Sequence, residues 1–198
     1  MTDLYQPNKE LESDEGVFET GIKGLWYFER KQRDDNRGFF AEIAHIDKIE
    51  KLIGQQFVIK QINYSRSLDK VVRGMHAENW KKLITVTCGL AFCALADIRP
   101  NSESFGKVVN FKLGEGGLAG SLLVEEGVAN SFCVLAGPVD YVYFVDRLYK
   151  DRDPKGDVAI SLFDADLKID WPLKKEEMII SQRDKNSVSL RQRFPDKF

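Results

Sequence analysis

A chain of 198 residues with 43% hydrophobic content carries enough apolar side chain for one domain with a sizeable core, and is too short for two full domains. Its 29 Lys and Arg are interspersed among 31 Asp and Glu, for a net charge of -2. That balance excludes a general electrostatic attraction to nucleic acid or to an anionic membrane, so any anion recognition must be local.

No apolar run approaches the roughly 20 residues of a membrane span. The amino-terminal stretch MTDLYQPNKELESDEG is polar and acidic where a secretory signal would be basic and then apolar. Cys88, Cys93 and Cys133 form no CxxC pair, and an odd number of cysteines argues against a disulfide framework. A cytoplasmic protein with reduced thiols is expected, each packed as a small hydrophobe among Val, Leu, Phe or Ala.

In chain order, the first ~15 residues are charged and lack periodicity, and are expected to lie on the surface or on a partner subunit. Runs rich in β-branched and aromatic residues then predict strands over Leu25–Arg30, Phe39–Ala44, Phe57–Tyr64, Lys82–Thr87, Leu90–Ile98, Val108–Leu113, Ser121–Val124, Ser131–Leu135 and Asp140–Val145. Between them stand turn-forming segments such as Asp34-Asp35-Asn36-Arg37-Gly38, Cys88-Gly89 and Gly114-Glu115-Gly116-Gly117. Apolar residues at helical spacing predict one short helix, Ile46–Ile53. The tail after about Lys174 is expected, like the amino terminus, to be a peripheral arm. Short, regularly spaced strands with few helices predict an all-β sandwich or jelly-roll barrel, organised as a single domain over 1–198.

Val72-Arg73-Gly74-Met75-His76 places one of only two histidines after an Arg-Gly turn. A mononuclear imidazole-type metal site needs two or three histidines, and the other, His45, heads the predicted helix, so no metal is expected. Proton transfer remains, and it needs a base, an orienting group and a second proton carrier. Arg73, Lys82, Gln61 and Asn63 are nearby in sequence. Gln61 and Asn63 share one face of a strand, as do Tyr141 and Tyr143. Taken alone, the amides fit a polar cavity or an exposed hydrogen-bonded pair, and the tyrosines fit a presented phenol or aromatic packing.

Taken in order, Asp35-Asn36-Arg37-Gly38-Phe39-Phe40-Ala41-Glu42, Gln61-Ile62-Asn63-Tyr64-Ser65-Arg66-Ser67, Val72-Arg73-Gly74-Met75-His76, Lys82-Leu83, Asp97-Ile98-Arg99-Pro100-Asn101-Ser102-Glu103-Ser104-Phe105-Gly106 and Asp164-Ala165-Asp166-Leu167-Lys168-Ile169-Asp170-Trp171-Pro172 resemble the successive motifs of the dTDP-4-dehydrorhamnose 3,5-epimerase family. The resemblance runs from about residue 20 to residue 173.

It implies a cupin-type jelly roll, a homodimer with strand exchange, and epimerisation without metal or other cofactor of a nucleotide-diphosphate-linked 4-keto-6-deoxy sugar. By the same resemblance, His76 matches the base, Tyr143 the phenolic proton donor on the far side, Asp164 the acid paired with the histidine, and Lys82 the cation near the sugar. Arg37 and Arg73 match the diphosphate ligands, Phe40 and Tyr149 the aromatics that sandwich the base, and Glu42, Gln61 and Asn63 polar contacts to the nucleotide.

The chain departs from the pattern at Ala129-Asn130-Ser131-Phe132, where the family typically reads Ala-His-Gly-Phe, so the substrate contact there is the amide of Asn130. The segment between His76 and Lys82 is also shorter than usual. These departures bear on which sugar is bound more than on the reaction type. A 3,4-ketoisomerase of the same barrel class and a non-catalytic sugar-nucleotide binding protein are the alternative readings.

Overall fold

The computed structural model describes residues 3–151, 153 and 156–198. In chain order the elements are β1 (Glu12–Asp14), β2 (Val17–Glu19), β3 (Leu25–Glu29), β4 (Gln32–Asp35), β5 (Gly38–Ala41), α1 (Ile46–Ile53), β6 (Gln61–Ser67), β7 (Val71–Ala77), β8 (Lys82–Asp97), β9 (Val108–Gly114), β10 (Gly120–Val124), β11 (Val128–Val145), β12 (Val158–Ala159), β13 (Ile179–Ile180), α2 (Gln182–Lys185) and α3 (Leu190–Arg193).

Two long antiparallel strands, β8 and β11, run through the whole molecule and share partners by halves. The first half of β8 lies between β10 and the second half of β11, which in turn pairs with β6. The second half of β8 lies between β9 and the first half of β11, which pairs with β7. Two sheets joined by strands that pass from one to the other form a cupin-type jelly roll.

Pleating explains why β8 reads as an almost unbroken apolar run. Ala91, Cys93 and Leu95 face the core shared by the two sheets, with Phe111, Leu113, Leu122 and Tyr141. Phe92, Ala94 and Ala96 point the other way, into a second cluster. Strands buried on both faces lose the alternation that marks a half-exposed strand.

The predicted breaks at Cys88-Gly89 and between Leu135 and Asp140 are bends within continuous strands rather than turns between separate ones. Gly89 has φ +75°, and a Cβ there would stand 2.5 Å from the Pro138 carbonyl oxygen. Only glycine lets β8 bend where β11 slips register between Val134 and Tyr141. Strand β7 was not expected from the pattern, and β6 begins at Gln61 rather than Phe57, whose buried ring packs against α1. The helix predicted over Ile46–Ile53 forms with those bounds, seating Ile49 on Leu83 and Leu123 and ending at Gly54 with φ +67°.

The carboxy-terminal tail is not a peripheral arm. β13 pairs in parallel with β7, and Met178 and Leu190 are buried with Val72, Met75 and Phe92 in the second cluster. Burying a side chain of that size contributes roughly 1.5–3 kcal/mol. At the other end Tyr5 packs on Phe111 at 4.9 Å and on Tyr27, so that segment too is held to the core. Both segments are short and mixed with charge, which hides the apolar anchors from a periodicity reading.

Candidate active site

The site begins with how β7 is held. Gly74 has φ +122°, and a Cβ there would meet the Ser131 Cβ at 2.5 Å, so glycine lets β7 close on β11. The register then sets His76 opposite Asn130.

The His76 Nε2 stands 2.7 Å from the Asp184 Oδ1. Asp184 lies in α2, capped by the Ser181 hydroxyl, and its Oδ2 accepts from the Gly74 N–H at 3.3 Å. Burial pushes the Asp184 carboxyl up, but His76, Gly74 and Ser181 outweigh it and hold the group below the usual carboxylate range. A carboxylate only accepts, so with the ring neutral Nε2 carries the proton and Nδ1 is left as the basic atom.

This corrects the expected pairing with Asp164. The Asp164 carboxylate accepts from the N–H groups of Asp166 at 2.9 Å, Leu167 at 3.1 Å and Leu190 at 2.7 Å. It ties its own turn to the start of α3, and it does not line the His76 cavity.

That cavity, of about 300 Å³, brings His76 together with Lys82, Tyr143, Asn63, Arg73, Asn130 and Tyr149 among the expected residues. Lys82 opens β8, is 3% exposed, and donates from Nζ to the Glu78 carboxylate. Burial pushes the Glu78 carboxyl up, yet Lys82, with His76 and Arg183, leaves it below its ordinary value.

Tyr143 pairs with Asn63 across β11 and β6; burial, with Glu78 adding to it, raises its phenol against the pull of Arg73. The fully buried Tyr141 donates to the Asn130 Oδ1 at 2.9 Å and stacks on Phe132 at 4.2 Å. The Asn130 amide oxygen is thus held in place, leaving its NH₂ to donate elsewhere.

The Gln61 amide donates to the Asn63 Oδ1 at 2.6 Å and accepts from the Tyr149 backbone N–H at 2.9 Å, fixing the segment whose ring faces Trp80 at 6.3 Å. Arg73 donates from Nε to the Ser67 hydroxyl at 3.0 Å.

Besides Asp164, three more expected residues stand elsewhere. Arg37 and Phe40 belong to the β4–β5 hairpin, which forms its own two-stranded sheet: Arg37 pairs with Asp35, and Phe40 is 65% exposed. Glu42 lines a separate cavity beside α1.

Sequence reasoning missed Asp184, Glu78, Trp80 and Arg183. A carboxylate two residues after the histidine and four before the lysine was a visible signal for Glu78. Asp184 gave none, being 108 positions from its partner.

A jelly roll whose cavity sets a histidine–carboxylate pair beside the buried Tyr141, the partly buried Tyr143 and a buried lysine defines a cupin-type barrel with a polar, titratable cavity. The chain belongs to the dTDP-4-dehydrorhamnose 3,5-epimerase family, whose model matches residues 19–192. A protein of Escherichia coli K12 described as dTDP-4-dehydrorhamnose 3,5-epimerase is 33% identical over 178 residues, 88% of this chain and 94% of that one. A 4-keto-6-deoxy sugar epimerase of Streptomyces spheroides superposes with a TM-score of 0.83 at 27% identity, covering 92% of this chain and 91% of that one. An epimerase from Legionella pneumophila, solved in complex with dTDP-4-keto-L-rhamnose, gives 0.79 at 31% identity, covering 88% and 92%.

Proposed function

We propose that this protein inverts C3, C5 or both of a nucleotide-diphosphate-linked 4-keto-6-deoxy sugar, with His76 as the base and Tyr143 as the proton donor on the opposite face. The observation that carries this reading is the 2.7 Å contact of His76 with Asp184 in a cavity that also holds Tyr143 and Lys82.

A 4-keto group acidifies the C–H bonds on either side of it. His76 takes the proton through Nδ1, and the electron pair moves onto the C4 oxygen as an enolate. Asp184 stabilises the imidazolium that forms, and the Lys82 ammonium stabilises the oxyanion. When the enolate collapses, the carbon takes a proton from the Tyr143 phenol on the other face, and its configuration inverts.

Arg73 meets the diphosphate with a charged planar fork, while Tyr149 stacks on the nucleobase and Asn63, positioned by Gln61, adds a polar contact. Arg37, Phe40 and Glu42 complete the nucleotide site from a second copy of the chain. The hairpin of Arg37 and Phe40 contributes nothing to the lining of its own chain's His76 cavity, and the exposed apolar side chains of Phe39, Phe40, Ile62 and Tyr64 call for cover. The Asn130 amide contacts the sugar. The described cysteines are free thiols, in keeping with a cytoplasmic enzyme.

Incubation in heavy water with a panel of dTDP- and GDP-linked 4-keto-6-deoxy sugars tests the reaction. Deuterium at the inverted carbon is expected, on C3 alone or on both centres. A product with its carbonyl moved to C3 would make the protein a ketoisomerase, and binding with no exchange would make it a binding protein.

A further inference from the structure

We infer, resting on the epimerase reading, that Glu78 is a positioning residue of the reaction: its carboxylate fixes the Lys82 ammonium on the cavity wall that also carries His76 and Tyr143, and supplies the negative charge that Tyr143 faces.

Both members of the pair are withdrawn from water, with side chains 4% exposed for Lys82 and 17% for Glu78. A lysine stem is flexible, and its head group has no fixed direction of its own. Here its root is pinned, because the neighbouring Lys81 donates its backbone N–H to the Asp146 carboxylate and accepts from the Asp146 N–H, and Glu78 then selects where Nζ rests. An ammonium has three donors. Glu78 engages one, and the others remain for an oxygen that gains charge in the cavity.

The charged and titratable groups around the pair come from every neighbouring element. His76 and Arg73 stand on β7, Arg183 and Asp184 on α2, Tyr141 and Tyr143 on β11, and Tyr149 on the segment after it. Lys82, His76 and Arg183 keep Glu78 ionised, and its charge adds to burial in keeping the Tyr143 phenol protonated, against Arg73. Glu78 thus serves both partners: it aims the cation and holds the proton on the donor.

Glu78→Gln and Glu78→Asp separate this role from a structural one. With the wild type first shown to incorporate solvent deuterium into a dTDP-linked 4-keto sugar, Glu78→Gln is expected to lower kcat at least tenfold with KM changed less than threefold. The basic limb of its kcat–pH profile should move to lower pH. Glu78→Asp keeps the charge but draws it back by one methylene, so it should lose kcat while keeping the wild-type basic limb; it also serves should Glu78→Gln not fold. Wild-type kcat and pH profile in a folded Glu78→Gln, or unchanged kcat in Glu78→Asp, would overturn the inference. A wild type without exchange would instead sink the epimerase reading itself.

Discussion

Asp184 and His76 meet at 2.7 Å although 108 positions separate them, and the contact exists because β13 runs parallel to β7 and delivers α2 to the strand that carries the histidine. The same carboxylate accepts the Gly74 N–H, so it positions the backbone as well as the ring. Asp184→Asn keeps the shape but removes the charge that stabilises an imidazolium. Base catalysis of this kind contributes roughly 10²–10⁴-fold. A kcat loss in that range with the fold retained, measured as solvent exchange and circular dichroism, is expected; near wild-type turnover would remove Asp184 from the mechanism.

Asp164 should behave in the opposite way. Three backbone N–H groups rely on it, one of them opening α3, and truncation to Ala strands buried donors at roughly 1–3 kcal/mol each. Asp164→Ala is therefore expected to lower Tm by roughly ten degrees or more. Turnover per folded molecule should stay within a few fold of wild type, and a large kcat defect at full folding would return Asp164 to the chemistry.

What could be read from the sequence was what depends on near neighbours. Ile46, Ile49, Leu52 and Ile53 sit one helical face apart, and Gly54 ends them, so α1 was legible to the residue. The apolar runs of β8 and β11 were legible as strands, but not their continuity, since a glycine that bends a paired strand looks the same as one that turns a hairpin. His76, Lys82 and Tyr143 could be named because the motifs around them resemble, in order, those of the epimerase family, and the cavity brings the three together. The carboxylate partner could not, because Asp184 stands 108 positions from His76 and reaches it only once β13 pairs with β7.

Tyr143→Phe divides the reaction into its two proton transfers. His76 would still remove and return a proton on its own face, so deuterium should continue to enter the substrate. Inversion needs the phenol on the far side and should fall by roughly 10²–10⁴-fold. NMR of the sugar resolves both readouts in one experiment, and undiminished inversion would mean that another group delivers the proton.

Acid should find two buried carboxylates. Burial pushes Asp97 up, but Arg99, Ser102 and Ser104 outweigh it and hold it below the ordinary value; Asp184 is lowered in the same direction by His76. A carboxyl whose folded value is depressed contributes its full stability above the unfolded value of about 3.9, and loses it as pH falls through the folded one. The urea midpoint should therefore hold from pH 7 to about 5 and drop below about 4. In Asp97→Asn the drop should be shallower, on top of a loss at pH 7 of roughly 1.5–3 kcal/mol from the hydrogen bonds to Arg99. An acid transition of unchanged steepness in that variant would assign the effect to other groups.

The hairpin that carries Arg37 and Phe40 makes the assembly testable through activity. Arg37→Ala or Phe40→Ala should weaken nucleotide binding and raise KM, while kcat changes little, since neither residue touches the reacting carbons. If each hairpin serves the cavity of a second copy, lesions can be traded between subunits. A dimer of one His76→Ala protomer with one Phe40→Ala protomer holds one cavity with both lesions and one with neither. Mixing the two proteins under conditions that allow exchange should then restore a low-KM activity that neither shows alone, approaching half the wild-type rate per heterodimer. A hairpin that closed over its own cavity would give no such recovery, because every intact histidine would stay beside a damaged hairpin.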